Sequence, residues 1–331
     1  MSCENLPSEN LSSERMPADP IHCVLLSRTI DLRKYLGEEI ARLAGRVIFV
    51  DHLDGTDPAA VRMAVGWHPH ADAFDHYPNL EAACSIGAGA DGILACPSLR
   101  DDIEVVRVVE PAQAQMMSGF VIFHAIWHQR RFATYFAQQR DRIWKRIGQR
   151  TTQEVPVGIL GYGAIGARVA ADLAALGFPV KVWSRSAKPT PDGITGFHGA
   201  DGLDAMLGET EILVNLLPLT AETRGILNRD LFNRMKRGGY LIQVGRGEHM
   251  VEADLLAALD SGQLAGAALD VFLAEPLPPE HPFWGHPGIV LTPHDACDVT
   301  LPAVGQTIRA TAEALQAGVR PKDAVDRTRG Y

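Results

Sequence analysis

The sequence predicts an α/β protein of two doubly wound parallel-sheet domains with a cleft between them. Two series of short apolar runs alternate with helical segments, a pattern typical of parallel sheets covered by helices. A long helical segment separates the two series. A glycine-rich turn follows the first strand of the second series and opens a helix. The 331 residues suffice for two domains of ordinary size.

The composition is that of a folded globular chain and excludes several classes of function. Hydrophobic residues make up 46% and charged residues 21%, close to the globular norm. The net charge of −9, with no basic block, argues against a nucleic-acid partner. No apolar run approaches the roughly 20 residues that span a bilayer, so no membrane partner is expected. Five scattered cysteines without a CxxC pair favour free thiols in a reducing, cytoplasmic compartment.

The first series begins after a tail, residues 1–20, which is rich in Ser, Glu, Asn and Pro and is expected to be disordered. One helix is predicted at residues 33–43. Five compact apolar runs predict strands at residues 23–26, 47–50, 61–66, 80–86 and 105–109. One long helix is then predicted over residues 112–139, followed by an arginine-rich segment and a loop at 151–154.

The second series is clearer. Six strands are predicted at residues 155–160, 180–183, 212–217, 239–244, 265–269 and 288–291. Helices are predicted at residues 165–176, 203–207, 230–235, 252–261 and 302–317. Six strands separated by helices match a doubly wound dinucleotide-binding domain. Because the last helix follows the sixth strand, the chain is expected to cross back to the first domain near residues 295–300.

The strongest single motif is Gly161-Tyr162-Gly163-Ala164-Ile165-Gly166, placed between a strand and a helix. The first glycine permits the tight turn, the second lets the backbone approach a pyrophosphate, and the third lets helix pack on strand. The N–H groups that open the helix, at Ala164 and Ile165, then face the phosphates. The motif predicts a Rossmann coenzyme domain, although a purely structural glycine turn is the simpler alternative.

The end of the next strand predicts which dinucleotide binds. A carboxylate about 20 residues after the glycines would hydrogen-bond a ribose 2′-hydroxyl. The strand instead ends in Ser184-Arg185-Ser186, with Lys188 close behind. Arg185 can bind a 2′-phosphate through charge-assisted hydrogen bonds, with the two serines as further donors. NADPH is therefore expected to be preferred over NADH, unless this segment is only a solvated loop.

Polar residues follow three later strands. Arg246 lies in Val244-Gly245-Arg246-Gly247, Glu275 follows Asp270 in the next loop, and His294 lies in Leu291-Thr292-Pro293-His294. Each alone reads as a surface cation, a loop carboxylate or a turn residue. Because the carboxyl ends of parallel strands meet beside the cofactor crevice, together they predict proton-coupled hydride transfer to a carbonyl acid.

These motifs carry a resemblance to a known family. The glycine motif, residues 216–220 (Leu-Leu-Pro-Leu-Thr), 244–247, 268–279 and 292–296 resemble the D-isomer-specific 2-hydroxyacid dehydrogenases. Within that family, Trp67-His68-Pro69, Trp183-Ser184-Arg185 and residues 325–331 are most similar to the glyoxylate/hydroxypyruvate reductase A subgroup. The resemblance covers essentially the whole chain after the tail.

The resemblance implies a set of roles and an architecture. Arg246, Glu275 and His294 would be catalytic, and Leu217, Pro218, Val244 and Asp270 would contact the cofactor. Ala88 and Gly89, in the loop Ser85–Asp91, would hold the substrate carboxylate through their N–H groups, with Trp67 lining the pocket or packing in the core. A flavodoxin-like substrate domain would comprise residues 21–113 and 298–331. An NADP-binding Rossmann domain would span residues 114–297, and the protein would be a homodimer.

The expected reaction is the NADPH-dependent reduction of glyoxylate or hydroxypyruvate, with His294 as general acid. Two alternatives stay open: a dehydrogenase of the same family acting on a larger 2-oxo acid, and a dinucleotide-sensing binding protein on the same fold. No metal is expected. The group His68, His70, Asp72, Asp75 and His76 fits no standard zinc spacing.

Overall fold

Two parallel β-sheets form the framework of the computed structural model, which describes residues 19–327. Residues 1–18 and 328–331 are outside the described residues, and with them nearly all of the tail that was predicted to be disordered and the last residues of the family resemblance. The two sheets have five and seven strands, so the predicted α/β class with two parallel-sheet layers is confirmed.

The five-stranded sheet is built from the first apolar series. Its strand order is β2-β1-β3-β4-β5, the flavodoxin-like order. The strands are β1 (Ile21–Ser27), β2 (Val47–Asp51), β3 (Val61–Trp67), β4 (Ala82–Ser85) and β5 (Glu104–Val106). The strands predicted at 80–86 and 105–109 extend too far. Leu80, Ile86 and Val108 are buried, but they belong to loops that pack into the same core.

Helices at both ends of the chain cover this sheet. The helix predicted at residues 33–43 is two short helices, α1 (Leu32–Leu36) and α2 (Glu38–Arg42), because Gly37 adopts a φ of 47° between them. After β4 comes a short helix, α3 (Asp91–Leu94), which was not predicted. The last helix, α10 (Leu301–Ala317), buries Val304 and Ile308 in the core of this sheet.

The chain therefore returns to the first sheet at its end, and Ala324 forms an antiparallel bridge with Val106 of β5. This return supports the predicted discontinuous substrate domain. The boundaries at 113/114 and 297/298 stay predictions.

The long helix between the sheets is interrupted, contrary to the prediction. It divides into α4 (Pro111–Gln129) and α5 (Phe132–Arg140), because Arg131 adopts a left-handed φ of 58°. The apolar side of α4, with Met117, Val121 and Ala125, packs into the core of the seven-stranded sheet. This helix thus leads directly into the second sheet.

The seven-stranded sheet has the order β12-β11-β10-β9-β6-β7-β8. Its strands are β6 (Val157–Leu160), β7 (Val180–Ser184), β8 (Ile194–His198), β9 (Ile212–Asn215), β10 (Gly239–Gln243), β11 (Leu264–Leu269) and β12 (Ile289–Leu291). The prediction of six strands missed β8. This edge strand is largely exposed and contains Gly196, so it lacks a continuous apolar run.

The helices of this sheet lie close to their predicted positions. They are α6 (Ala164–Ala175), α7 (Gly199–Gly208), α8 (Arg229–Arg234) and α9 (Glu252–Asp260). Only α7 begins well before its predicted start, because its first turn carries Gly and Asp rather than apolar residues. The predicted loop at 151–154 contains a 3₁₀ turn, Thr152–Glu154, capped by Thr151.

Within residues 19–327, no helix combines the length and the apolarity that crossing a membrane requires. Across the same residues, no cluster of three or more His, Cys, Asp or Glu side chains has a geometry suited to a metal ion.

Candidate active site

The predicted site residues meet at the carboxyl ends of the strands of both sheets. In the seven-stranded sheet the strand order reverses between β6 and β9, and ligands of open parallel sheets bind at such a point. The loops after β6, β7, β9, β10, β11 and β12 all leave the sheet at this edge. Each carries predicted site residues, so one crevice collects them.

The glycine turn has the geometry that a dinucleotide phosphate site requires. Gly161 adopts a φ of 101°, and a Cβ there would lie 2.7 Å from Leu216 O. A Cβ on Gly166 would lie 2.0 Å from Gly161 O, so only glycine allows this helix to start here. A Cβ on Gly163 would meet no heavy atom within 4 Å, so the turn is open where α6 begins at Ala164. These residues fit a pyrophosphate at the N-terminus of α6.

The second predicted cofactor element ends β7. Ser184 is buried and donates from Oγ to Ser186 O at 2.8 Å, which folds the segment into a tight turn. Arg185 and Ser186 are exposed beside it. Lys188 Nζ donates to Tyr162 O at 2.8 Å, so this cation reaches back to the glycine turn. Two cations, Arg185 and Lys188, thus lie in the segment that the sequence predicts to bind a 2′-phosphate.

The loops after β9, β10 and β11 carry the other residues predicted to contact the cofactor. Leu217 and Val244 are buried, and Pro218 between them is half-buried. Asp270, directly after β11, is 2% exposed. Its carboxylate accepts from Thr292 Oγ1 at 2.6 Å and from the N–H groups of Asp295 and Ala296 at 2.8 and 3.1 Å. Asp270 therefore fixes the loop that carries His294.

His294 and Glu275 form a hydrogen-bonded pair. His294 Nδ1 lies 2.8 Å from Glu275 Oε2, while the other carboxylate oxygen accepts from Phe272 N at 2.9 Å. The main-chain N–H of His294 donates to Asp270 O at 2.8 Å, and the residue adopts a φ of 56°. With Nδ1 bound to the carboxylate, Nε2 is the ring nitrogen left for a substrate.

The hydrogen bond between His294 and Glu275 raises the pKa of the imidazole and lowers that of the carboxylate, as a histidine general acid requires. The hydrogen bond to Glu275 raises the pKa of His294 above its ordinary value, outweighing the opposing effect of burial. Burial alone would raise the pKa of Glu275, but the hydrogen bonds from His294 and Phe272 N–H leave it lowered. The carboxylate therefore stays ionised and the imidazole holds its proton to higher pH.

Arg246 connects the two sheets across the cleft. Its Nε and Nη2 lie 3.1 and 3.0 Å from Oδ1 of Asp91, the first residue of α3. Burial alone would raise the pKa of Asp91, but the guanidinium holds it below its usual value. A Cβ on Gly89 would lie 1.8 Å from Arg246 Nη2, so the guanidinium lies directly on the predicted substrate loop.

The loops that carry Arg246 and Glu275 are in direct contact. A Cβ on Gly247 would lie 2.0 Å from the carbonyl carbon of Phe272, so no other side chain fits there. This close approach brings the arginine loop after β10 against the loop that holds Glu275. The predicted catalytic set, Arg246, Glu275 and His294, thus lies in neighbouring loops.

The substrate loop is the remaining predicted element. Trp67 ends β3, and its ring lies within 3.1 Å of a Cβ built on Gly87, so it covers the start of this loop. Ser85 Oγ donates to Gly89 O at 2.7 Å and fixes the turn. Among residues 19–327, neither Ala88 N–H nor Gly89 N–H has a protein acceptor. Both groups are therefore available to a ligand carboxylate.

Sequence reasoning missed four polar residues of this region: Asp91, Asn215, Gln243 and His249. Asp91 ends the predicted substrate loop, but its pairing with Arg246 depends on the approach of the two sheets. The other three are buried beneath Arg246. Nothing local in the sequence signals that they lie together, because 34 residues separate Asn215 from His249.

The fold and this site define an NAD(P)-dependent oxidoreductase, and comparison with known proteins gives its family. The family described as D-isomer specific 2-hydroxyacid dehydrogenase, NAD binding domain, matches residues 122–296. The glyoxylate/hydroxypyruvate reductase A of Serratia proteamaculans is 42% identical over 274 residues, 81% of this chain and 87% of the relative. That of Yersinia enterocolitica is 39% identical over the same length.

Solved structures are similar across nearly the whole chain. The NADPH-dependent glyoxylate/hydroxypyruvate reductase from Sinorhizobium meliloti in complex with NADP and sulfate is 36% identical with a TM-score of 0.86, covering 94% of this chain and all of its own. A Xanthobacter autotrophicus dehydrogenase in complex with NADPH and MES is 36% identical with a TM-score of 0.87, covering 95% of this chain and all of its own. The chain belongs to the D-isomer specific 2-hydroxyacid dehydrogenase family. It is an NAD(P)-dependent 2-hydroxyacid dehydrogenase.

Proposed function

We propose that the protein reduces a small 2-oxo acid, glyoxylate or hydroxypyruvate, to glycolate or D-glycerate with NADPH. The observation that carries this proposal is the His294–Glu275 pair, 2.8 Å apart, in a crevice that it shares with Arg246. A protonated imidazole supported by a carboxylate, together with a fixed guanidinium, suits a carbonyl acid. The relatives named glyoxylate/hydroxypyruvate reductase A support the choice of substrate.

Each residue has a separate task in the reaction. NADPH, when bound, supplies a hydride to the carbonyl carbon of the 2-oxo acid. His294 donates a proton from Nε2 to the oxygen that becomes the hydroxyl group. Glu275 orients the imidazole and favours its charged form. Arg246 stabilises the negative charge of the substrate, Ala88 and Gly89 hold its carboxylate, Trp67 borders the pocket, and Asp270 fixes the nicotinamide end of the cofactor.

The substrate is tested by the rate of NADPH oxidation with glyoxylate, hydroxypyruvate and phenylpyruvate. The proposal expects the highest kcat/KM with the two small acids. A preference for phenylpyruvate would contradict it and favour a reductase of larger 2-oxo acids. Tight binding of NADPH without turnover of any acid would contradict it in favour of a dinucleotide sensor.

Replacing Glu275 with glutamine is expected to move the alkaline limb of the reductase pH profile to lower pH. Glutamine can still accept the hydrogen bond from His294 Nδ1, but it lacks the charge that raises the pKa of the ring. The pKa of His294 in the wild type lies above the ordinary 6.5, so wild-type activity persists above pH 6.5 and falls as the pH passes the raised pKa of His294. The measurement is kcat/KM against pH.

The matched control is Glu280→Gln, an exposed carboxylate of the same loop. Its profile should coincide with that of the wild type. Superimposable profiles for Glu275→Gln and the wild type would refute the electrostatic role of Glu275.

Replacing Arg185 with alanine is expected to abolish the preference for NADPH. The guanidinium is exposed at the end of β7, beside Ser184 and Ser186, where it would bind the 2′-phosphate. Loss of charge-assisted hydrogen bonds of roughly 1.5–3 kcal/mol lowers kcat/KM for NADPH by about 10- to 150-fold. The value for NADH should change little. The control is Arg33→Ala, which removes an arginine that pairs with Asp51 on the other sheet. An unchanged NADPH-to-NADH ratio would overturn this assignment.

The protein is further proposed to be a homodimer through the face formed by α4, α5 and the segment after them. This face exposes several large apolar side chains. Single exposed apolar residues are common on protein surfaces, but a group of them marks an interaction site. Trp144 is 101% exposed, and Phe123 and Phe136 are each 56% exposed. A groove of about 1110 Å³ adjoins this face and is lined by Phe136, Trp127 and Tyr240 among others. A second copy would cover both the aromatic residues and the groove.

Light scattering after size exclusion should therefore give twice the chain mass of 35.9 kDa. The double variant Trp144→Ser with Phe136→Ser should shift the protein towards the monomer. Trp284→Ser, which removes another exposed tryptophan, serves as the control and should remain dimeric. A monomeric wild-type protein would refute the dimer.

The cytoplasmic location expected from the cysteines remains a proposal. Among the described residues, Cys23, Cys84, Cys96 and Cys297 carry no disulfide, which is consistent with a reducing compartment.

A further inference from the structure

Three polar side chains that the proposed reaction does not use lie buried beneath Arg246. Asn215 ends β9 and Gln243 ends β10, where the two are direct register partners. His249 lies in the 3₁₀ turn that follows Arg246. All three are 0% exposed. Because burying an unpaired polar group costs free energy, the hydrogen bonds of these side chains indicate what they are for.

Two of these side chains, His249 and Gln243, bond the main-chain groups of Arg246. Its N–H donates to His249 Nδ1 at 3.0 Å, and its carbonyl oxygen accepts from Gln243 Nε2 at 2.8 Å. Asn215 Nδ2 donates to Gln243 Oε1 at 2.7 Å and lies 3.0 Å from His249 Nδ1. Arg246 is therefore held at its backbone from below, while Asp91 holds its guanidinium from across the cleft.

His249 and Asn215 also hold the loop after β9. His249 Nε2 lies 3.2 Å from Pro218 O, and Leu217 N–H donates to Asn215 Oδ1 at 3.3 Å. A main-chain N–H can only donate, so His249 Nδ1 is an acceptor and Nε2 carries the proton that is donated to Pro218. Burial lowers the pKa of His249, which keeps the ring in this neutral form.

We propose that His249 is a positioning residue that sets the distance between Arg246 and the cofactor loop at Leu217 and Pro218. Its ring spans the gap between them, with one nitrogen bonded to each side, and Asn215 and Gln243 keep the ring and the arginine backbone in place. The proposal rests on the proposed function for the roles of the two loops. On this proposal, a side chain outside both predicted ligand sites aligns the substrate site with the cofactor site.

Two amide substitutions separate the two sides of the ring. His249→Asn keeps an acceptor near the position of Nδ1 but does not reach Pro218. His249→Gln reaches Pro218 with its amide N–H but offers no acceptor to Arg246. His249→Phe fills the same space and supports neither loop.

Affinities are measured by calorimetry, with NADPH alone and then with oxamate, an unreactive 2-oxo acid mimic, in the presence of NADP. Loss of one hydrogen bond is expected to weaken binding by roughly 2- to 12-fold. His249→Asn should weaken NADPH and leave oxamate unchanged. His249→Gln should weaken oxamate and leave NADPH unchanged, and His249→Phe should weaken both.

Thermal midpoints of all three variants show how far each one is destabilised. If His249 only fills space, the two dissociation constants will move together or not at all, whatever the midpoints, and the proposal is overturned. A wild-type protein that binds NADPH but no oxamate would count against the proposed function instead. The NADPH constants alone would then decide the present inference, since only Asn and Phe should raise them.

Discussion

Replacing His294 with alanine is expected to lower kcat for the 2-oxo acid by roughly 100- to 10,000-fold, the contribution of a positioned general acid. His294 Nδ1 is bound to Glu275 at 2.8 Å, so Nε2 is the ring nitrogen that can give a proton to the substrate oxygen. Alanine removes that proton donor and leaves the glycine turn of the cofactor site untouched. The dissociation constant of NADPH should therefore change little while kcat falls.

The backbone at this position calls for a second variant. His294 adopts a left-handed φ of 56°, which alanine adopts with some strain and asparagine more readily. His294→Asn should thus keep the loop conformation and still lose the acid. If the asparagine variant retained wild-type kcat, the role of His294 as general acid would be wrong, and the loss in the alanine variant would be due to backbone strain.

Replacing Arg246 with alanine is expected to lower kcat/KM for the 2-oxo acid by roughly 100- to 1,000-fold, as for other donors that stabilise charge in a transition state. The guanidinium touches the predicted substrate loop at Gly89 and pairs with Asp91, while His249 and Gln243 hold the main chain of the same residue. Its position is therefore fixed before a substrate binds. The KM for NADPH should change less, because the phosphate-binding turn lies on a different loop.

Two further variants test the geometry of this arginine. Arg246→Lys keeps the charge but not the planar fork, so it should recover only part of the lost activity. Asp91→Asn leaves the arginine in place but removes its ionic partner, and should cost less than Arg246→Ala. Full activity in Arg246→Ala would contradict the substrate-binding role.

Much of the fold follows from local sequence patterns. Parallel strands buried on both faces give short apolar runs, so β6, β9 and β10 were located to within a few residues. The glycine turn was identified because three glycines at fixed spacing have separate steric reasons, which Gly161 and Gly166 bear out. The edge strand β8 was missed because solvent covers much of it and its apolar signal is weak.

Other features depend on contacts that no local pattern contains. The break at Arg131 involves neither glycine nor proline, so nothing in the sequence predicts a left-handed residue there. Asp91 lies opposite Arg246 only because two sheets meet, across 155 residues of chain. His249 reads as an ordinary loop histidine until folding places it between Arg246 and Pro218. The break at Arg131, the pairing of Asp91 with Arg246 and the position of His249 are therefore set by tertiary contacts rather than by residue type.

The measurement that tests the central claim most directly is isotope transfer from the cofactor to the product. Wild-type protein is incubated with hydroxypyruvate and NADPH that carries deuterium at both C4 positions, and the glycerate is analysed by mass and by chirality. The account predicts D-glycerate with one deuterium bonded to C2, and almost none from His294→Asn in the same time. Unlabelled product, or L-glycerate, would contradict it.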